Sequence, residues 1–214
     1  RLGFNRLMKR NPLRGNGVLD EDLIEHMLGQ LYGSLTSGDR LCRPLATAPE
    51  RRLKSPRLRG RYSFLGFLIG EGLDLAIEAF EQANLGNAIL FVAGKQVLEP
   101  PMMHRLNALV TAGKAVVHDR YLSEDEMGAA FFACDDVLVP YRSHYGSSNV
   151  LSTAASIGRP VIASDHHLIG RRVRREHLGV VFADRSSSSL ASAIASPHDG
   201  AACPKGMERW AQRT

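Results

Sequence analysis

From residue 62 onward, short apolar runs alternate with amphipathic stretches, and this alternation constrains the fold more than any other feature. YSFLGFL, AILFVAG, AVVHD, DVLVP, PVIAS and GVVFA are mostly continuous apolar runs rather than alternating ones. Strands buried on both faces read this way. Between and after them lie GLDLAIEAFEQANL, EPPMMHRLNALVTAG, SEDEMGAAFFACD, SNVLSTAASIG, HLIGRRVRREHLG and SSSLASAIA. These read as helices. The second has prolines in its first turn, the third opens on a capping box from Ser123 to Glu126, and the fourth closes at Gly158. Six strands alternating with helices over residues 62–196 predict a doubly wound parallel sheet covered on both faces. In such a sheet ligands bind beyond the carboxyl ends of the strands. The candidate loops therefore follow Leu68, Ala93, His118, Pro140, Ser164 and Ala183.

The rest of the chain has a different texture. Residues 1–61 carry 13 Lys/Arg against 6 Asp/Glu, a net of +7, whereas residues 62–214 carry 14 against 16, a net of −2. The basicity thus belongs to the leading segment. Within it, Leu19, Leu23, Met27 and Leu31 recur every fourth residue, which predicts one amphipathic helix over residues 18–35. Residues 36–61 hold three prolines and eight Lys/Arg and read as a linker. We divide the chain into a basic N-terminal segment (1–61), the alternating domain (62–196) and a C-terminal tail or short helix (197–214). The chain begins at Arg1 without a signal-peptide pattern and reads as a fragment or a processed product. No apolar run approaches the ~18 residues of a membrane span. The three cysteines, Cys42, Cys134 and Cys203, are scattered, which fits a reduced, cytoplasmic setting. The histidines show no metal-ligand spacing. His166 and His167, being adjacent, are expected to point apart. We expect neither a metal nor a cofactor.

The segment PYRSHYGSSNVLSTAASIGRPVIASD, residues 140–165, carries a loop that feeds a helix. Gly146 permits close backbone approach, and Ser147 or Ser148 can cap the helix. The amides of Ser148, Asn149 and Val150 then face outward as an anion site, or the loop is a well-capped turn with no ligand. Arg142 and His144 are cations for such a site, or solvated surface groups. Past the strand ending at His118, Arg120 can meet a phosphate and Tyr121 can stack on a base, or Tyr121 packs on the following helix. Gly70-Glu71-Gly72 lacks the full dinucleotide spacing, since Leu75 stands where a third glycine belongs. The basic runs at 50–61 and 171–175 have no interleaved aromatics, so nucleic acid is not an expected partner.

Four segments in order carry a resemblance. FLGFLIGEGLDLAIEAF, AILFVAGK, VVHDRYLSEDEMGAAFFACDDVLVPYRS and GSSNVLSTAASIGRPVIASD resemble the C-terminal, nucleotide-sugar-binding domain of retaining family-4 glycosyltransferases. The similarity spans residues 62–196 and implies a Rossmann-like sheet, one half of the two-domain GT-B architecture. It further implies a nucleoside-diphosphate sugar as partner and sugar transfer to an acceptor with retention. The basicity of segment 1–61 separately suggests peripheral contact with anionic membrane by an otherwise cytoplasmic protein. Site residues carried over are Arg120, Tyr121, Gly146, Ser147, Ser148, Asn149, Val150 and Thr153, with Arg142 and His144 near the diphosphate or sugar.

The charged positions depart from the family's pattern. Its Arg falls on Phe67, its Lys on Glu71, its later Glu on Thr153 and its loop Glu on His144 or Tyr145. A glutamate where a diphosphate expects a cation repels it. The sequence therefore predicts a glycosyltransferase domain, with a catalytically inactive binding or scaffold protein on the same fold as the alternative.

Overall fold

The computed structural model describes residues 63–68, 71–86, 88–142, 144–146 and 148–196. The helix and linker expected before residue 62, the tail expected after residue 196, and the candidate Ser147 lie outside the described residues.

The apolar runs form β1 (Ser63–Leu68), β2 (Ala88–Ala93), β3 (Ala115–His118), β4 (Asp136–Val139), β5 (Val161–Ser164) and β6 (Gly179–Phe182). The amphipathic stretches form α1 (Leu73–Ala83), α2 (Pro100–Thr111), α3 (Glu124–Ala133), α4 (Asn149–Ser156), α5 (His167–Glu176) and α6 (Ser187–Ala195). Local chemistry sets the boundaries. Prolines occupy the first turn of α2, the Ser123–Glu126 capping box opens α3, and Gly158 turns away from α4 at φ +73°.

The sheet runs β3-β2-β1-β4-β5-β6 with every neighbouring pair parallel. The fold is the expected doubly wound, Rossmann-like one. Alternate residues of each central strand feed two separate cores. Ile89, Phe91 and Ala93 pack with Met127, Phe131, Leu151 and Ile169. Ala88, Leu90 and Val92 pack with Ile77, Phe80, Leu106 and Leu190. Helices α3, α4 and α5 thus cover one face, and α1, α2 and α6 the other. All six residues of β2 and all four of β5 are buried, which is why neither run alternates in polarity.

The chain leaves β3 at one edge and returns to lay β4 against β1, with Gly66 opposite Val137. Strand order reverses there, so the turn before α1 and the loop after β4 lie side by side at the carboxyl edge, where doubly wound sheets place their ligands. Gly72, at φ +93°, holds them together: a Cβ there would stand 2.1 Å from the Pro140 carbonyl oxygen.

Two cores of this kind make truncation costs site-specific. Phe131, 1% exposed, should lose ~3–5 kcal/mol of stability on replacement by alanine. Val110→Ala, at a side chain 42% exposed, should stay within ~0.5 kcal/mol. Urea midpoints of the two variants measure the contrast.

Candidate functional site at the sheet's carboxyl edge

Tyr141 organises the crevice. It follows β4 directly and is 7% exposed. Its carbonyl accepts a 2.7 Å hydrogen bond from the Ser164 hydroxyl at the end of β5. Its phenol is pushed above the ordinary range by burial, an effect reduced by a hydrogen bond with Ser148. The negative charge of Glu71, in the turn before α1, pushes the same way. Tyr141 thus ties the β4 loop to the end of β5 through its backbone and to the start of α4 through its phenol.

Ser148, not a freely rotating loop serine, caps α4: its hydroxyl accepts from the Leu151 N–H at 3.1 Å. That satisfies one first-turn amide. The N–H groups of Asn149 and Val150 have no intrahelical acceptor, as in any helix start. Asn149 is exposed, Val150 lies at the edge of the core, and Gly146 is exposed ahead of them. The first turn of α4 carries no acidic residue. The first turn of α1 carries Asp74, with Glu71 just before it. Of the two helix starts beside the crevice, α4 is the one whose dipole remains open to an anion.

The charged candidates are engaged within the protein. Arg142 makes a 2.7 Å ion pair with Asp74 Oδ2, tying the β4 loop to α1. Arg120 grips Glu126, with Nη2–Oε1 2.6 Å and Nη1–Oε2 3.1 Å. Glu126 is at the same time the reciprocal partner in the α3 capping box. Arg120 and the Ser123 amide together hold the Glu126 carboxyl down at about 2. Tyr121 is 85% exposed. It does not pack on α3, so its ring face is open at the end of β3.

His144 packs against Tyr141 with ring centroids 5.0 Å apart, and its Nε2 is shielded without a partner. Thr153, 3% exposed on α4, leaves its hydroxyl oxygen shielded and unpartnered as well. Phe67 sits inside β1 rather than after it, so the position aligned with a phosphate-binding arginine belongs to the sheet itself.

One expectation is overturned. His166 and His167 do not point apart: their rings meet edge-on at 4.3 Å. The pair straddles the start of α5, and His167 adopts φ +40°, so neither helical nor strand geometry separates them. Among the described residues no group of three or more His, Cys, Asp or Glu could hold a metal ion, and no helix is long and apolar enough to cross a membrane. Cys134 is buried, and burial pushes its thiol far up, leaving it inert.

Sequence reasoning assigned no site role to Tyr141, Asp74, Ser164 or Asp184, and Glu126 was expected only as the capping-box partner of Ser123. Tyr141 and Asp184 carried a signal, since each lies one or two residues past an apolar strand on the ligand edge. Asp74 and Ser164 carried none, because their roles depend on which loops the topology brings together.

The class of protein is thus a doubly wound α/β domain with an acid-free helix start at the switch point of its sheet. A family model described as "Glycosyl transferases group 1" matches residues 59–197. The chain belongs to this family, and carries the C-terminal domain of its GT-B fold. No curated protein matches it. Among solved structures, Anabaena Alr3699/HepE in complex with UDP and glucose is 15% identical at a TM-score of 0.60, over 90% of this chain and 48% of that one. The C-terminal domain of a glycosyl transferase group 1 family protein (LpcC) from Francisella tularensis is 15% identical at 0.55, over 77% and 89%. Sucrose-phosphate synthase from Thermosynechococcus elongatus is 20% identical at 0.51, over 69% of this chain. At these identities the likeness is one of fold. The chain spans 40% of the length of that synthase.

The Glu126 carboxyl has a stability consequence with a defined sign. Its folded value of about 2 lies below the ordinary 4.5, so its contribution is present above pH 4.5 and is lost as pH falls toward 2. Glu126→Gln should flatten the fall of the urea midpoint across that window. Arg120→Ala should move the window upward, because Arg120 is the largest cause of the shift.

Proposed function

We propose that residues 62–196 bind a nucleoside-diphosphate sugar and, within the complete enzyme, transfer its sugar to an acceptor with retention of configuration. The observation that carries this reading is the α4 start. Ser148 caps it and no acid stands in its first turn, so the positive end of the helix dipole at Asn149 and Val150 meets no opposing charge from the helix itself. It lies at the point where strand order reverses. The diphosphate sits at the start of α4, over Gly146 and Ser148 to Val150, with Thr153 one turn further along the helix. The base lies toward the end of β3, stacked on Tyr121 and flanked by Arg120. Charge developing on the departing diphosphate is met by helix amides already in place, which cost no reorganisation as the bond breaks. His144 and Arg142 stand on the same loop. The HepE structure, described as a complex with UDP and glucose, supports this assignment by analogy of fold.

One observation favours a second reading, a binding or scaffold domain without turnover. Arg142 is held by Asp74, and exposed Glu71 stands in the turn before α1 where a diphosphate is better served by a cation. Sugar transfer by the complete protein would eliminate the scaffold reading. Nucleotide-sugar binding with neither transfer nor hydrolysis would uphold it.

Asn149→Asp separates ligand binding from folding, because it sends the two in opposite directions. A new acid in the first turn of α4 should leave stability unchanged or raise it by ~0.3–1 kcal/mol. The same acid should weaken a nucleoside diphosphate about tenfold. Isothermal titration of UDP, GDP, ADP and their sugars into both proteins reads this directly. Absence of heat from every one of them at about 1 mM removes the reading.

The basic segment 1–61 is proposed to contact anionic membrane. Its deletion should abolish sedimentation with phosphatidylserine vesicles. Undiminished sedimentation refutes the contact.

A further inference from the structure

The ends of β4, β5 and β6 carry a second cluster that the diphosphate site does not use. His166, the residue before α5, places Nδ1 3.0 Å from Asp184 Oδ2, two residues past β6. The Tyr145 ring lies 5.4 Å from that of His166 and 4.8 Å from that of His167. Three loops that are distant in sequence thus converge on one spot at the ligand edge.

The hydrogen bonding there is incomplete. An ionised carboxylate can only accept, so His166 Nδ1 must carry the hydrogen given to Asp184. In the tautomer that donates from Nδ1 alone, the other ring nitrogen, Nε2, is an acceptor. Both His166 Nε2 and the second carboxylate oxygen, Asp184 Oδ1, are shielded from solvent and have no hydrogen-bond partner. Arg185 Nε, 3.9 Å from Asp184 Oδ2, is beyond hydrogen-bond range and faces the other oxygen. Buried acceptors are seldom left unmet. The backbone beside both members of the pair is also held in the left-handed region, at His167 (φ +40°) and Arg185 (φ +60°). Neither residue adopts it without cost.

Beside them is Tyr145, 71% exposed, its ring steeply inclined to that of His166 and tilted at 42° to that of His167. Two acceptors beside an open aromatic face fit a ligand that brings O–H donors and a C–H face. A phosphate brings acceptors to acceptors. A metal needs ligands that the described residues do not assemble here.

We propose that Tyr145, His166 and Asp184 form a subsite for a sugar ring. Its hydroxyls donate to His166 Nε2 and Asp184 Oδ1, and its C–H face stacks on Tyr145. The subsite rests on the glycosyl-transfer reading, and supplies from β5 and β6 the acceptor groups that the β4 loop lacks in the absence of a carboxylate. The sugar is that of the donor or that of the acceptor, and the test separates the two.

Histidine side-chain NMR of the full 214-residue chain follows His166 while three probe sets are titrated. These are UDP, GDP and ADP alone, the same nucleotides carrying glucose or mannose, and methyl glycosides of glucose, mannose and galactose. The expected result is that nucleoside diphosphates alone leave the His166 ring resonances in place while a sugar-bearing probe moves them. Movement with nucleotide-sugars assigns the donor sugar, and movement with methyl glycosides assigns the acceptor. Tyr145→Ala and Asp184→Asn should each weaken that probe about tenfold. Affinity for the bare nucleotide should hold within about twofold. Tyr145 is exposed, so its removal leaves the core intact and keeps the test readable if Asp184→Asn fails to fold. His166 resonances unmoved by every sugar-bearing probe, or a Tyr145→Ala protein that binds the sugar as tightly as the parent, overturns the proposal. Failure of the diphosphate site looks different: no bare nucleotide binds, while methyl glycosides still move His166.

Discussion

The pairing of β4 with β1, Leu65 opposite Asp136 and Phe67 opposite Leu138, brings into one place loops that are about 70 residues apart in the chain. Once β4 lies there, the turn before α1 and the loop before α4 must share a crevice. Their separation is then fixed at atomic range by Gly72 against the Pro140 carbonyl. A side chain at residue 72 would force the two apart and open the region around Tyr141. The carboxyl edge is thus shaped by backbone contact first and by side-chain chemistry second.

Charge is distributed unevenly over that edge. The α1 side is acidic, and its nearest arginine is consumed by Asp74. The α4 side has no acid in its first turn and starts on a buried serine cap. A helix start offers only modest anion attraction by itself, ~0.5–2 kcal/mol. An anion bound there would lean on shape and on several weak donors rather than on one strong ion pair.

The fold could be read from the sequence because its strongest determinants are local. Apolar runs such as AILFVAG and PVIAS became strands with nearly the expected limits, and the Ser123–Glu126 box and Gly158 marked helix ends where they occur. The α4 start was legible for the same reason. The partners of the charged groups were not. Arg142 meets Asp74 across 68 residues, a contact decided by sheet order. Adjacent histidines were expected to diverge because regular geometry separates neighbours, yet a left-handed His167 brings their rings together. His166 and Asp184 looked unremarkable alone, and only the parallel pairing of β5 with β6 places their loops side by side.

The capping box of α3 ends on an arginine. Glu126 serves the Ser123 amide and Arg120 at once, so the first turn of α3 and the guanidinium at the end of β3 share one carboxylate. A ligand that draws Arg120 toward a phosphate must compete with that carboxylate. Success leaves Glu126 tied to the helix alone and its proton more readily regained. Any ligand that captured Arg120 would therefore be thermodynamically linked to proton uptake at a helix cap, a coupling that works through one shared residue.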